Sequence, residues 1–294
     1  MPHPTEPSFA ELVDDWFADA ARPLPWRAAE VSPWAVLVSE FMLQQTQVSR
    51  VLPRWTAWME RWPTPAALAS APPAEAVRAW DRLGYPRRAL WLHEAATEIV
   101  ERHGGEVPSG LDELLALKGI GPYTARAVAA FAFGERHPVV DTNTRRVLAR
   151  AIDGRAHAGA PSTARDLAAM SAQLPVERDA ARRFNAGAME LGATVCTART
   201  PDCDGCPVRS RCAWLAAGRP DDGAPKRRQA RYEGSDRQVR GIVLAELRAA
   251  HAPVDRALLD ARWSDAAQLE RALGTLVADG LAVVGAEGYS LPDA

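Results

Sequence analysis

Residues 114–125 read Leu114-Leu115-Ala116-Leu117-Lys118-Gly119-Ile120-Gly121-Pro122-Tyr123-Thr124-Ala125. Two glycines one residue apart follow a leucine-rich segment, and Pro122 favours the first turn of a second helix. Glycine permits positive φ and exposes backbone N–H groups beside the positive end of the following helix. Such groups bind phosphate without basic side chains and fix register rather than read sequence. The stretch therefore predicts two helices joined by a phosphate-binding turn that contains Lys118, Gly119 and Gly121.

The four cysteines of the chain lie close together, at Cys196, Cys203, Cys206 and Cys212. Six, two and five residues separate them. Structural zinc usually uses two close cysteine pairs with a longer spacer, and this pattern lacks them. A four-iron cluster needs four cysteines and tolerates uneven loops. The spacing favours a 4Fe-4S cluster over zinc, and both over unrelated core cysteines.

The remaining sequence predicts a nearly all-helical protein. Ser32-Pro33 is an N-cap followed by proline at the first helical position. Apolar residues then recur at helical spacing in one stripe from Trp34 to Phe41, which places Glu40 off the stripe on a face shared with Gln44 and Gln47. No strand alternation precedes residue 280. Further helical patterns cover residues 51–62, 74–83, 88–103, 111–117, 122–133, 142–152 and 163–173.

Composition excludes two classes of protein. The formal net charge is −2 at pH 7, so a globally basic DNA-binding protein is not expected, and local patches such as Lys226, Arg227 and Arg228 must supply any cationic surface. No apolar run of about 18 residues is present, which excludes a membrane span. We expect a cytoplasmic protein with reduced thiols.

Residues 218–235 have the composition of a linker, and residues 236–294 form a separate unit. Three short helical patterns are followed by a segment that suits a small hairpin. This order predicts a winged-helix-like module, which either assists in DNA recognition or only stabilises the protein.

Motifs distributed along the chain resemble the helix–hairpin–helix DNA glycosylases that carry an iron–sulfur cluster, and within them the adenine-specific, MutY-type branch. The resemblance spans roughly residues 8–217. It implies an all-α, two-lobed core at 1–217, with a central helical barrel at about 31–138 and a second lobe made of the N-terminal helix and 139–217. The motifs are Ser39-Glu40-Phe41-Met42-Leu43-Gln44-Gln45-Thr46-Gln47, Leu83-Gly84-Tyr85, Val139-Val140-Asp141-Thr142-Asn143-Thr144-Arg145-Arg146-Val147 and Met189-Glu190-Leu191-Gly192-Ala193.

The resemblance implies that Glu40 is the general acid and Asp141 the second carboxylate. Adenine is a poor anionic leaving group unless a ring nitrogen is protonated, and the sugar develops positive charge, as in glycoside hydrolysis. A buried Glu40 would hold the proton, because desolvation disfavours a charged carboxylate. Asp141 is also an ordinary N-cap before a helix, and both roles are compatible. Asn143 would orient water or Asp141.

Tyr123 occupies the position at which lyase members of the superfamily carry a nucleophilic lysine. A phenol cannot form a Schiff base, so we expect base release without strand cleavage. The flipped base leaves a hole in the stack, which Gln44, Gln45 and Tyr85 would fill.

Family positions that line the adenine pocket correspond to Trp26, Arg27 and Glu190. The implied partner is duplex DNA with adenine opposite 8-oxoguanine or guanine, bound by a monomer. Many full-length relatives carry a nucleotide-hydrolase-like domain that reads the opposite base, and the residues after Ser235 are too few and too helical for it. The alternatives are a thymine or uracil mismatch glycosylase, a bifunctional lyase, and a non-catalytic metal-binding regulator.

Overall fold

The computed structural model describes residues 6–221, 223 and 231–293, and these residues are mostly helical, as the sequence predicts. The helices are α1 (Phe9–Ala20), α2 (Pro33–Leu43), α3 (Val48–Arg61), α4 (Pro65–Ala69), α5 (Pro73–Trp80), α6 (Arg87–His103), α7 (Leu111–Leu115), α8 (Pro122–Phe133), α9 (Thr142–Ala151), α10 (Thr163–Gln173), α11 (Arg178–Thr194), α12 (Ala213–Ala216), α13 (Asp236–Ala249), α14 (Arg256–Arg262) and α15 (Ala266–Ala278). Short 3-10 turns lie at Pro25–Arg27 and Arg209–Arg211, and strands β1 (Val283–Gly285) and β2 (Gly288–Ser290) form an antiparallel hairpin. Among the described helices, none combines the length and apolar character needed to cross a membrane.

The predicted helices are confirmed to within a few residues, but the sequence patterns did not predict α4, α11 and α12. Helix α11 contains Gly187 and Gly192, which lower intrinsic helix propensity. Both glycines lie where another segment approaches closely, so packing rather than propensity explains why this helix forms.

Side-chain caps begin several helices. Ser8 and Glu11 form a capping box at the start of α1. The predicted N-cap Ser32 accepts a hydrogen bond from the backbone N–H of Ala35 at 3.2 Å. Asp141 caps α9 in a capping box with Thr144. Each cap satisfies donors that a helix start would otherwise leave unpaired.

The chain divides into two compact units. The first unit comprises residues 1–36, 109–112 and 120–226, and the second comprises 37–108, 113–119 and 227–294. The predicted basic patch Lys226, Arg227 and Arg228 lies outside the described residues.

The core of the first unit forms where α1 packs against α11. Phe9 and Phe184 meet edge to face with ring centroids 5.9 Å apart. A Cβ atom on Gly187 would lie 2.8 Å from Cγ1 of Val13 and 3.2 Å from Cβ of Phe17. The missing side chain of Gly187 therefore sets the distance between the two helices.

The core of the second unit is built around tryptophans on α3 and α5. Trp58 packs edge to face on Trp62 and Trp80, with centroid distances of 4.7 and 5.8 Å. Helix α6 covers this core and contacts α4 and α5.

The C-terminal module, residues 236–293, groups with the second unit. It consists of α13, α14, α15 and the β1–β2 hairpin, in the order that the sequence predicts. Val254 adds a bridge to Tyr289 of β2, which extends the hairpin by one short segment. Three helices followed by such a hairpin match the winged-helix-like expectation for these residues.

Replacing Gly187 by alanine tests the close packing of α1 on α11. We expect a loss of about 1–3 kcal/mol in the free energy of unfolding, because the added methyl group overlaps Val13. Urea unfolding of Gly187→Ala measures it. Gly274→Ala in α15 is the matched control, since no atom lies within 4 Å of its Cβ position and alanine favours a helix. Equal stability of the Gly187→Ala variant and the wild type would contradict the packing argument.

Candidate functional site

Glu40 lies in the last turns of α2 and is 5% exposed. Its helix is buried on every side, because each residue from Trp34 to Met42 is buried. The expected division into an apolar stripe and a polar face was therefore wrong. Helix α2 ends at Leu43 and α3 begins at Val48, so Gln44 and Gln47 do not share a helix face with Glu40. The carboxyl group of Glu40 is thus set among packed side chains rather than on a solvated surface.

Gln45 and Tyr85 come together, although forty residues separate them. The Tyr85 hydroxyl donates a hydrogen bond to Oε1 of Gln45 at 2.6 Å. Both residues have left-handed backbone, with φ of 57° and 48°, which is costly for residues other than glycine. Tyr85 is 56% exposed despite its size. The pair is an exposed group held in a strained conformation, as expected for a functional element rather than a packing element.

Arg88 supports this pair, and the sequence analysis did not identify it. Its guanidinium lies 4.3 Å from the centre of the Tyr85 ring and donates to the backbone carbonyl of Gln44. The residue is 8% exposed, and desolvation lowers its pKa. Arg88 therefore contacts the Tyr85 ring and the residue that precedes Gln45. An Arg in an Arg-Arg dipeptide at a helix start gives no sequence signal for such a role.

The predicted phosphate-binding turn lies between α7 and α8. Gly119 has φ of 74°, and a Cβ there would lie 2.7 Å from Cβ of Trp91, so both backbone and packing require glycine. Gly121 has φ of −93° and is the N-cap of α8. The expectation of positive φ therefore holds for Gly119 and is wrong for Gly121.

Lys118 of this turn is engaged within the second unit. Its ammonium lies 3.3 Å from Glu94, and its backbone N–H donates to Glu98 at 2.9 Å. Because carboxylates already face Lys118, any anion at this turn would rely on backbone N–H groups more than on the lysine charge.

Asp141 is held at the start of α9 by several donors. Its Oδ1 accepts from the backbone N–H groups of Asn143 and Thr144 at 2.9 and 2.7 Å. Its Oδ2 accepts from Nδ2 of Asn143 at 2.8 Å. The N-cap reading of Asp141 is confirmed, and Asn143 orients its carboxylate as expected. This half-buried carboxylate has little freedom to rotate.

Arg146 connects this carboxylate to the cysteine segment and was also missed. Its guanidinium donates to Oδ1 of Asn143 at 2.9 Å, to the carbonyl of Gly192 at 2.6 Å and to the carbonyl of Cys196 at 2.7 Å. Gly192 permits the close approach of α11, since a Cβ there would lie 2.7 Å from Cβ of Asn143. The Arg146 contacts therefore link Asp141, through Asn143, to the first cysteine.

Glu190 is fully buried between two arginines of the N-terminal segment. It binds Arg22 and Arg27, the latter at 2.9 Å. Burial alone would raise the pKa of Glu190, but the hydrogen bonds and charges of Arg22 and Arg27 outweigh it and lower that pKa. The expected neighbours Arg27 and Glu190 therefore meet, and nearby Trp26 is buried. Arg22 completes the cluster, and the sequence reasoning overlooked it.

Tyr123 stands in the first turn of α8 and is half-buried. It packs against the apolar cluster of Ala127, Ala130 and Val139. A tyrosine at this place supplies ring surface and a hydroxyl, but no amine.

The four cysteines line one shared hollow in the first unit. Burial raises the pKa of Cys206 to about 11, so metal binding must displace its proton. Among the described residues, no three His, Cys, Asp or Glu side chains are placed to hold a single metal ion. Four thiols around one hollow are the ligand set of a four-iron cluster, in which each cysteine binds a different iron atom.

Arg150 is a buried charged residue that contacts one of these sulfurs. It is 4% exposed, donates to Sγ of Cys196 at 3.5 Å and to the carbonyl of Thr197 at 2.7 Å, and stacks on the Trp214 ring at 4.6 Å. Arg88, Arg146 and Arg150 thus all bind other atoms of the protein.

Sequence comparisons agree with this geometry. The model of the HhH-GPD superfamily of base excision DNA repair proteins matches residues 38–172, and that of the iron–sulfur binding domain of endonuclease III matches 196–212. The adenine DNA glycosylase of Mycobacterium tuberculosis is 55% identical over 279 residues, 94% of this chain and 91% of that protein. That of Homo sapiens is 42% identical over 213 residues, 70% of this chain and 39% of the human protein. The mycobacterial match is long enough to include most of the C-terminal module.

A comparison of structures gives the same fold. A solved thermostable thymine-DNA glycosylase superposes with a TM-score of 0.64 at 26% identity, covering 71% of this chain and 95% of that one.

Replacing Glu190 by glutamine tests the buried ion cluster. We expect a loss of about 1.5–3 kcal/mol in the free energy of unfolding at pH 7, because the partly exposed Arg22 and Arg27 lose their charged hydrogen-bond partner. Since the folded-state pKa of Glu190 is lowered, its contribution is complete above the unfolded value of about 4.3 and is lost as pH falls through the folded pKa. Denaturant unfolding from pH 7 to pH 3 measures both effects.

Asp14→Asn is the control for that experiment, because Asp14 pairs with Arg183 on α11 in an exposed position. We expect it to cost at most about 1 kcal/mol. A Glu190→Gln variant whose deficit did not shrink in acid would contradict the assignment.

Replacing Cys203 by serine tests the cluster site. We expect about four iron atoms per chain in the wild type and fewer in the variant, because a four-iron cluster needs four thiolates. Iron analysis and the visible absorption spectrum of the purified proteins measure this. Ser210→Ala, an exposed change in the same loop, should keep full iron content. Colourless, zinc-loaded wild-type protein would contradict the iron–sulfur assignment.

Proposed function

We propose that this chain, which belongs to the adenine DNA glycosylases of the HhH-GPD superfamily, excises adenine mispaired with 8-oxoguanine or guanine from duplex DNA. It is a base-excision repair enzyme that carries a 4Fe-4S cluster, held by Cys196, Cys203, Cys206 and Cys212. When bound, the cluster would cross-link the cysteine loop. The proposed reaction itself uses amino-acid side chains.

The observation that carries the proposal is the contrast between two carboxyl groups. Glu40 is enclosed in a fully buried helix, whereas Asp141 accepts hydrogen bonds from N–H groups at a helix start. Two carboxyl groups in such different environments suit different tasks, one as acid and one as a fixed negative charge. We propose that both carboxyl groups act on the same flipped nucleotide.

In the proposed reaction, Glu40 donates a proton to a ring nitrogen of the flipped adenine. The C1′–N9 bond then breaks and its electron pair leaves with the base. Asp141, oriented by Asn143, faces the oxocarbenium-like sugar and stabilises its positive charge. Water adds to C1′ and returns a proton to Glu40. Tyr123 offers no amine, so no Schiff base forms and the strand stays intact.

The remaining candidate residues have roles in recognition. Gln45 and Tyr85, with Gln44 beside them, fill the space that the flipped base leaves and contact the opposite base. Trp26, Arg27 and Glu190 line the pocket for adenine. Lys118, Gly119 and Gly121 hold a phosphate. The enzyme acts as a monomer, in the cytoplasm with the nucleoid of a bacterium.

Single-turnover excision separates this proposal from its alternatives. Duplexes that pair adenine with 8-oxoguanine, guanine or thymine are compared with duplexes that carry thymine or uracil opposite guanine. We expect release of adenine from the first two and no adduct after borohydride treatment. Release of thymine or uracil alone would overturn the substrate assignment; thymine is the base named for the superposed glycosylase. A trapped adduct would overturn the monofunctional mechanism.

The variant Glu40→Gln tests the general acid. We expect loss of at least about 100-fold in the single-turnover rate with duplex binding retained, since proton transfer contributes on that order. Glu60→Gln, an exposed change on α3, is the control. Unchanged excision by Glu40→Gln would remove this residue from the mechanism.

A further inference from the structure

We infer that the C-terminal module, residues 236–293, fixes the loop that presents Tyr85 and thereby contributes to recognition of the base opposite adenine. The module restrains the loop through contacts with the helices at both of its ends, and this restraint affects catalysis. The effect on catalysis rests on the proposed function.

The loop in question joins α5, which ends at Trp80, to α6, which begins at Arg87. It contains two non-glycine residues with left-handed backbone, Asp81 at φ 45° and Tyr85 at φ 48°. Residues persist in such conformations only where their surroundings hold them. A loop that presents an exposed tyrosine in this way needs fixed ends.

The neighbouring helix and turn provide part of that hold. Side chains outside the loop bind its carbonyls or its aspartate. Arg54 donates a hydrogen bond to the Asp81 carboxylate, and Arg50 donates to the carbonyl of Arg82. Thr46 donates to the carbonyl of Leu83, and Trp80 donates to that of Gly84. These contacts shape the loop but leave the positions of α5 and α6 to other packing.

The C-terminal module contacts α5 through reciprocal arginines. Arg78 of α5 donates to the carbonyls of Arg248 at 3.3 Å and Ala250 at 2.9 Å. Arg248 of α13 donates in return to the carbonyl of Val77 at 3.1 Å. Each side thus donates from an arginine to backbone carbonyls of the other, one turn before the loop begins.

The same module contacts α6 on the other side of the loop. Asp279, after α15, lies 3.3 Å from Arg87, the first residue of α6, and 2.6 Å from Arg240 of its own module. The neighbouring Gly280 lies against Leu90, since a Cβ there would be 3.8 Å from Cδ1 of that leucine. The C-terminal module therefore contacts both α5 and α6, the two helices that the Tyr85 loop connects.

Charge favours this mechanical role over direct DNA binding. Residues 236–293 contain six arginines and no lysine against nine aspartates and glutamates. Several of these arginines are already paired, among them Arg256 with Asp260 and Glu270. An acidic module with engaged arginines repels a polyanion, whereas it can still brace the helices that it contacts.

The test uses the full-length protein with Arg248→Ala and Asp279→Asn combined, and with Asp279→Asn alone as a milder variant. Neither residue belongs to the proposed catalytic or pocket residues. Arg256→Ala is the matched control, because it breaks ion pairs inside the module and leaves both contacts to α5 and α6 intact.

Hydrogen exchange of the DNA-free protein measures how strongly the module restrains the loop. The reporters are the amides of Leu83 and Arg88, which donate to the carbonyls of Trp80 and Tyr85. We expect their exchange to rise about tenfold in the double variant, less in Asp279→Asn, and not in the control, as loss of one net anchoring hydrogen bond would produce.

Single-turnover excision measures the consequence. The ratio of the rates for adenine opposite 8-oxoguanine and opposite guanine should fall several-fold in the double variant and stay constant in Arg256→Ala. A lower melting temperature with unchanged exchange and an unchanged ratio would overturn the inference and make the module a stabilising cap. Faster exchange with an unchanged ratio would overturn the link to recognition. If wild-type protein released no adenine, the proposed function would fail, and exchange would still decide whether the hold exists.

Discussion

The carboxylate of Asp141 and the N–H groups at the start of α9 form the interaction on which the first unit depends. A helix start presents unpaired donors and a partial positive charge, and a carboxylate satisfies both. Here the same carboxylate also binds the Asn143 side chain, so both of its oxygens are fixed. A group that stabilises a transient cation must be in place beforehand, because reorientation during the reaction would cost free energy. The local demand of the helix thus provides the rigidity that the proposed chemistry needs.

This arrangement extends to the cysteines through buried arginines. Arg146 joins Asn143 to the carbonyl of Cys196, and Arg150 reaches Sγ of the same cysteine. Guanidinium groups suit this task, because several donors in one plane can bind carbonyls from separate segments. The cysteine segment lacks regular structure over most of its length, so a cluster bound to four of its residues would fix it as a metal fixes small domains. A cluster bound to these cysteines would therefore help to maintain the surroundings of Asp141, through Arg146 and Asn143.

Local patterns predicted most of the fold, and partners distant in sequence explain what was missed. The turn in residues 114–125 and the cluster site at the four cysteines could be predicted, because turn chemistry and ligand spacing are local properties. Helix α11 was missed because Gly187 and Gly192 look unfavourable until the segments that they accommodate are known. Arg22, Arg88 and Arg146 were missed for a related reason, since an arginine that binds a carbonyl or carboxylate far along the chain resembles any surface arginine. The polar face expected around Glu40 was wrong because periodicity cannot distinguish a half-buried helix from one buried all round.

Several cations of this chain, whose net charge is −2, bind other atoms of the protein. Arg88, Arg146 and Arg150 serve internal contacts, and Lys118 faces Glu94 and Glu98. These four cations contribute little to non-specific attraction to phosphates, which is the term that salt screens most strongly. Binding that relies on backbone N–H groups, at Gly119 and Gly121, and on an inserted pair, Gln45 and Tyr85, depends on shape more than on charge. Such a protein would leave undamaged duplex readily and remain where a base pair opens, which is what a search for rare mismatches requires.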